Sequence, residues 1–236
     1  MNQSRVCRSN DYSLIFKVVS IIYETINYFL LKGRFAILYY YYADSKLLNF
    51  INELRIKRYL LLTVNESMQV YECAKAALKI KGDYAEVGVY KGGSAKIIAL
   101  VKSDKQLHLF DTFEGLPQTS KKDKYFNTGE YSAPLEQVQD LLNEYNNVYF
   151  YKGIFPKTTT KISHIRFSFV HLDVDLYQST LDGLEYFYPR MNKGGLILTH
   201  DYPSSVGVKK ACDEFISSRP ESILKLSGNQ GLIVKS

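Results

Sequence analysis

Residues 84–95 read YAEVGVYKGGSA, and the reading of this stretch decides the fold. A short apolar run, too short for a buried helix, meets three glycines at positions 88, 92 and 93 and passes directly into a helical pattern. Strand, tight turn and helix in that order make a βα unit. Downstream, QLHLFD (106–111), VYFYKG (148–153), FSFVHLDV (167–174) and GGLILTHD (194–201) repeat the short apolar run, each separated from the next by helical patterning. Strands that alternate with helices pair in parallel. The last residues, SILKLSGNQGLIVKS (222–236), hold two apolar runs joined by Gly228-Asn229, a hairpin signal. The expectation is an α/β protein with a mostly parallel sheet closed by an antiparallel C-terminal hairpin.

Upstream, residues 12 to about 80 carry apolar residues at helical spacing, with Thr63 or Asn65-Glu66 available to start the last helix and Gly82 to end the helical part. The chain therefore divides into an N-terminal helical segment, residues 1–80, suited to dimerisation or to covering the site, and a catalytic domain, residues 81–236. The net charge of +6 is unevenly placed: residues 1–80 hold 11 Lys/Arg against 6 Asp/Glu, and the remainder holds 19 against 18. A nearly neutral catalytic part does not suit a face that follows a phosphate backbone, so no nucleic-acid partner is expected. Cys7, Cys73 and Cys212 are odd in number and widely spaced, which fits neither a disulfide framework nor a zinc motif and suits a reducing cytoplasm. Apolar runs are interrupted by Lys17, Glu24, Lys32 and Arg34, and FAILYYYYA (35–43) is too short to span a bilayer. Its tyrosines suit subunit packing, with peripheral membrane contact the lesser alternative.

Glycines 88, 92 and 93 let the backbone turn and approach a ligand closely, while Glu86 can bond a cationic amino group and the helix N-terminus near Ser94 a carboxylate. That pairing suits the methionine end of S-adenosylmethionine, and the spacing is not the Gly-x-Gly-x-x-Gly of dinucleotide binding. Asp111, at the end of the second run in LFDTFEGLP, is placed to hold ribose hydroxyls. The expected cofactor contacts are Glu86, Gly88, Tyr90, Gly92, Gly93, Ser94, Asp111, Thr112, Phe113, Gly153, Phe155 and Asp173. Residues 121–134 form one long polar insertion, suited to a substrate lid.

HLDVDLYQST and LTHDYP together place Asp173, Asp175, His200 and Asp201 at two strand ends. If those strands are neighbours, about 5 Å apart, three carboxylates and an imidazole share one point. Such carboxylates repel, and either a cation or protonation relieves them, with an oxygen-rich set favouring magnesium over zinc.

In EVGVYKGGSA, FDTFEGLP, KGIFPKT and LDVDLYQSTLDGLEYFYPRMNKGGLILTHDY, in that order over about residues 55–235, the chain resembles the TylF/MycF/NovP-type macrocin O-methyltransferase family. The resemblance implies a Rossmann-like class I methyltransferase fold with a seven-stranded sheet. It also implies magnesium-dependent methylation of sugar hydroxyls by S-adenosylmethionine, and a dimer. Carried onto this chain, Asp173 and Asp201 match metal-ligand positions and Asp175 the base. His200 stands where the family has an acidic residue, as a poorer magnesium ligand or as a partner in the base role. A different class remains, a non-catalytic or membrane-associated scaffold that keeps the fold. Amino-directed DNA methyltransferases are disfavoured by the missing Asn/Asp-Pro-Pro-Tyr/Phe motif, and dehydrogenases by the glycine spacing and the lack of a Tyr-x-x-x-Lys pair.

Overall fold

A computed structural model describes residues 45–123 and 126–236. The N-terminal segment up to residue 44, with the tyrosine run 39–42, lies outside the described residues. Two helices open the described part, α1 (Ser45–Ile56) and α2 (Val64–Ala76). Then β1 (Asp83–Val87), α3 (Gly93–Val101), β2 (Leu107–Asp111), α4 (Leu135–Leu142) and β3 (Val148–Lys152) form the first winding. The second comprises β4 (Phe167–Leu172), α5 (Tyr177–Phe187), β5 (Met191–Thr199) and α6 (Val206–Ile216), and β6 (Leu224–Lys225) with β7 (Gly231–Val234) closes the chain.

These elements form one seven-stranded sheet in the order β3-β2-β1-β4-β5-β7-β6. β1 to β5 run parallel, whereas β7 pairs antiparallel with β5 and with β6. This is the Rossmann-like class I methyltransferase arrangement that the resemblance implies. Every residue of the central strand β4 is buried, as expected of a strand covered on both faces. Phe110, Phe155, Phe167 and Phe187 knit β2, β4, α5 and the segment after β3 together, with ring centroids 5.0–5.3 Å apart in three of the pairs.

Local signals explain the helix starts. Thr63 caps α2, accepting from the Glu66 N–H while the Glu66 carboxylate receives the Thr63 N–H, a reciprocal capping box. Ser205 caps α6. Leu176, which precedes α5, has no polar side chain, and Asp123 supplies the cap from the distant insertion: its Oδ1 receives the Tyr177 N–H at 2.8 Å. Asp123 is itself buried and also holds Ser120, so the insertion is tied to α5. Among the described residues no helix is long and apolar enough to cross a membrane.

The strand order reverses between β1 and β4, and in open α/β sheets ligands bind at the carboxyl ends of strands beside such a switch point. The registers make those ends flush: Val87 lies opposite both Phe110 and Leu172, and Leu172 opposite Thr199. The ladder continues one residue further, with Gly88 N–H bonded to Phe110, Asp173 N–H to Val87 and His200 N–H to Leu172. Gly88, Asp111, Asp173 and His200 therefore stand in a row along one edge.

Candidate active site

A cavity of about 300 Å³ opens along that row. Of the residues expected at the site, Gly88, Tyr90, Ser94, Asp111, Thr112, Gly153, Phe155, Asp173, Asp175, His200 and Asp201 line it. Glu86, Gly92, Gly93 and Phe113 do not.

The exceptions have physical reasons. Glu86 is fully buried one residue before the strand end, and its Oε1 lies 2.7 Å from Nδ1 of the equally buried His171. Burial pushes its carboxyl above the usual range, against the pull of His171. Its Oε1 is thus engaged by His171, while its Oε2 is buried without a hydrogen-bond partner. A β-carbon on Gly93 would come within 2.5 Å of the Tyr59 carbonyl, and one on Gly92 within 2.9 Å of Val138, so these glycines serve packing against the 59–60 segment and α4. Gly88 is more constrained: it has φ +85°, and a β-carbon there would lie 1.8 Å from the Asp173 carbonyl oxygen.

Asp111 reaches the cavity wall, but its carboxylate is already engaged. Oδ2 receives the N–H groups of Val89 and Tyr90 at 2.7 and 2.9 Å, and Oδ1 that of Phe113 at 2.7 Å. It thereby fixes the β1–α3 loop. At the start of α3 the cap residue Gly92 provides no side-chain bond, so first-turn N–H groups are open to an anion.

At the other end of the row the chain turns left-handed twice, at Asp175 (φ 58°) and Asp201 (φ 57°). Among the described residues eight non-glycine residues have positive φ. Four of them, Tyr90, Tyr131, Asp175 and Asp201, line this one cavity, which is where backbone strain is expected to gather for function. His200 sits among the carboxylates: Nδ1 lies 3.1 Å from Asp173 and 3.4 Å from Asp201, and Nε2 faces Glu66 at 3.7 Å, an ion-pair separation too long for a hydrogen bond. Burial opposes a charge on His200, but Asp173, Glu66 and Asp201 outweigh it and raise the imidazole to about 11. Conversely, Asp173 stays below the usual carboxylate range despite burial, because of His200. Asp175 behaves oppositely: burial, then Asp173 and Asp201, push it up to about 8.

Glu66 has no place in the sequence-based site beyond helix initiation. It is buried, holds the α2 cap, receives the Asn229 N–H from the hairpin turn at 3.0 Å, and faces His200. Burial raises it, but His200 and Thr63 bring it down to about 2. The cavity's apolar wall comes from residues 59–62 between α1 and α2, in the segment expected to cover the site, from Phe126 of the expected lid, and from Leu116, Pro117 and Ile154, which the expectation did not include. Leu61, apolar yet 60% exposed between two helices, is the sequence-local sign of it. Tyr131, from the insertion, meets the Tyr90 ring edge-on at 5.9 Å and leans over the carboxylates.

The donor set does not fit the cation that the resemblance implies. Carboxylate oxygens only accept hydrogen bonds, so Nδ1 of His200, facing two of them, carries a proton and has no lone pair for a metal shared with Asp173 and Asp201. Among the described residues no group of three or more His, Cys, Asp or Glu side chains is arranged to hold a metal ion.

Comparison with known proteins follows the same lines. The profile of the macrocin O-methyltransferase (TylF) family matches residues 64–223. An 8-demethyl-8-(2,3-dimethoxy-α-L-rhamnosyl)-tetracenomycin-C 4′-O-methyltransferase from Streptomyces olivaceus is 31% identical over 140 residues, covering 52% of this chain and 54% of the relative. Mycinamicin III 3″-O-methyltransferase from Micromonospora griseorubida is 27% identical over 151 residues, covering 55% and 59%. These matches span less than two thirds of the relatives' own length. Among solved structures, the O-methyltransferase NovP superposes with a TM-score of 0.68 at 21% identity, over 75% of this chain and 82% of that one, a likeness of fold. The profile match covers the capping helix, the β1 loop, Asp111 and the Asp173–Asp201 row in one piece, and the chain belongs to the macrocin O-methyltransferase (TylF) family.

Proposed function

We propose that this protein is an S-adenosylmethionine-dependent O-methyltransferase acting on a hydroxyl of a sugar or glycosylated small molecule. One observation carries this reading: a single cavity at the switch point joins a glycine-turned loop and an open helix N-terminus to a half-buried cluster of Asp173, Asp175, His200 and Asp201. The relatives' names, which specify methylation of a rhamnosylated tetracenomycin and of mycinamicin III, support the acceptor class.

When bound, S-adenosylmethionine supplies a sulfonium methyl group that an incoming oxygen displaces in line. Ser94 and the other open N–H groups in the first turn of α3 offer backbone donors to the carboxylate of such a ligand, while Gly88 and Tyr90 line its path and Asp111 keeps their loop in place. Asp175 accepts the hydroxyl proton as the oxygen–carbon bond forms; a carboxylate raised to about 8 is a stronger base than an ordinary one. The wall at residues 59–62, Leu116 and Pro117 excludes water around the reacting groups.

We assign the N-terminal segment, residues 1–80, to subunit contact and acceptor selection. Ile56, 82% exposed, supports the first role and Leu61, at the cavity, the second. The free thiols Cys73 and Cys212 support a reducing, cytoplasmic setting. Calorimetric titration with S-adenosylhomocysteine tests the cofactor reading. Binding is expected, weakened about tenfold or more in Asp111→Ala, which leaves two loop N–H groups without their acceptor. An absence of binding by the intact chain would remove the proposed function.

A further inference from the structure

We propose that His200 takes the place of the divalent cation at this site, neutralising Asp173 and Asp201 from within the chain, so that methyl transfer by this protein needs no added metal.

The geometry is that of a built-in counter-ion. The His200 backbone is fixed by its N–H bond to Leu172, at 2.8 Å, which seats the ring beside Asp173. Nδ1 points between the two carboxylates that a metal would share, at 3.1 and 3.4 Å. Nε2 points the other way, to Glu66, and is buried with no hydrogen-bond partner. A neutral ring would leave one nitrogen with a lone pair turned toward a carboxylate, so the arrangement suits an imidazolium with Nδ1 against Asp173 and Nε2 at ion-pair distance from Glu66.

Glu66 in turn cannot swing away. Its Oε2 receives the Thr63 N–H and hydroxyl at 2.8 and 2.7 Å, and its Oε1 the Asn229 N–H at 3.0 Å. Gly228 packs so closely that a β-carbon there would lie 2.8 Å from Glu66 Oε1. Glu66 is thus a positioning residue, holding the far nitrogen of His200 from α2 and the hairpin. For a cation to bind Asp173 and Asp201 together, the ring would have to leave this cage and strand Glu66 without its partner.

The turnover consequence rests on the proposed methyltransferase reading; the metal-binding consequence does not. Titration of the full chain with Mn²⁺ alone, up to millimolar concentration and followed by the paramagnetic signal of the free ion, reads the site directly. The expected result is no binding, or only binding that Asp173→Asn leaves unchanged. Mn²⁺ binding that Asp173→Asn abolishes overturns the proposal. His200→Asp, which puts a third carboxylate in place of the imidazolium, is expected to create a site at least about tenfold tighter than any in the wild type. A folded His200→Asp protein that binds no better than the wild type also overturns it.

If that variant does not fold, wild-type turnover decides alongside Mn²⁺ binding. Transfer of labelled methyl to a glycoside panel unchanged by EDTA supports the proposal, and transfer abolished by EDTA and restored by magnesium overturns it. S-adenosylhomocysteine binding, measured on the same preparation, shows separately whether the methyltransferase reading holds.

Discussion

Asp175 has the ordinary chemistry of a carboxylate and an extraordinary position. It is held in the left-handed region, partly shielded from water, and flanked by Asp173 and Asp201. Its folded pKa of about 8 lies above the ordinary value of 3.8, so the folded protein binds a proton there that the unfolded chain releases. Between those values stability therefore falls as pH rises. Asp175→Asn keeps the shape and tolerates the same φ, but removes both the base and this penalty. Turnover is expected to fall on the order of 10² to 10⁴-fold with S-adenosylhomocysteine affinity little changed. Thermal unfolding at pH 7 is expected to rise by roughly 2–4 °C, what ~1 kcal/mol gives in a domain of this size. In the wild type, kcat/KM should climb with pH toward a plateau above about 8 as Asp175 loses its proton. At this scale the sequence was most informative where residues end strands: Asp173, Asp175, His200 and Asp201 meet because their spacing puts them one to three residues past β4 and β5. It was least informative for orientation. Glu86 belongs to the right motif, yet only the fold shows that the adjacent strand brings His171 against it.

At the scale of the element, α2 carries more than its own start. The Thr63–Glu66 box is readable within four residues, whereas the bond from Glu66 to Asn229 spans 163 positions and follows only from the placement of the hairpin. Glu66 is held at about 2 against an ordinary value of 4.5, so its stabilisation is complete above about pH 4.5 and lost as pH falls toward 2. Glu66→Gln is expected to cost ~1–3 kcal/mol at pH 7, the loss of a charged acceptor from buried donors, and to flatten the acid limb of the denaturation curve measured by circular dichroism. A wild-type-like acid limb in the variant would show that Glu66 is not ion-paired. The insertion makes a similar case. Its length and polarity suggested a lid, but nothing local showed that Asp123 would cap a helix 54 positions away. Asp123→Ala should release that tether, raising KM for the acceptor several-fold while leaving cofactor affinity near the wild-type value in calorimetry. A change confined to cofactor affinity would contradict this assignment.

For the whole molecule, the βα alternation and the Gly228-Asn229 turn were enough to anticipate a parallel sheet with an antiparallel end. Strand order was not: a pattern of strands and helices fixes neither which strands are neighbours nor where the winding reverses, and it was the family resemblance that implied the observed arrangement. The N-terminal segment suited covering the site, but that residues 59–62 would do so was not legible for a related reason, since a segment between two helices acquires its meaning only when the sheet brings the strand ends beneath it. Topology thus turns a glycine loop, the Asp111 carboxylate and a cluster at two neighbouring strand ends into a single cavity. The most direct test is to incubate the purified full chain with methyl-labelled S-adenosylmethionine and a panel of glycosylated small molecules, with Asp175→Asn in parallel, and to locate the label by mass spectrometry. The account predicts label in an ether on a sugar hydroxyl for the wild type and on the order of 10²-fold less or lower still for the variant. Label on nitrogen or carbon, or equal transfer by Asp175→Asn, would contradict it.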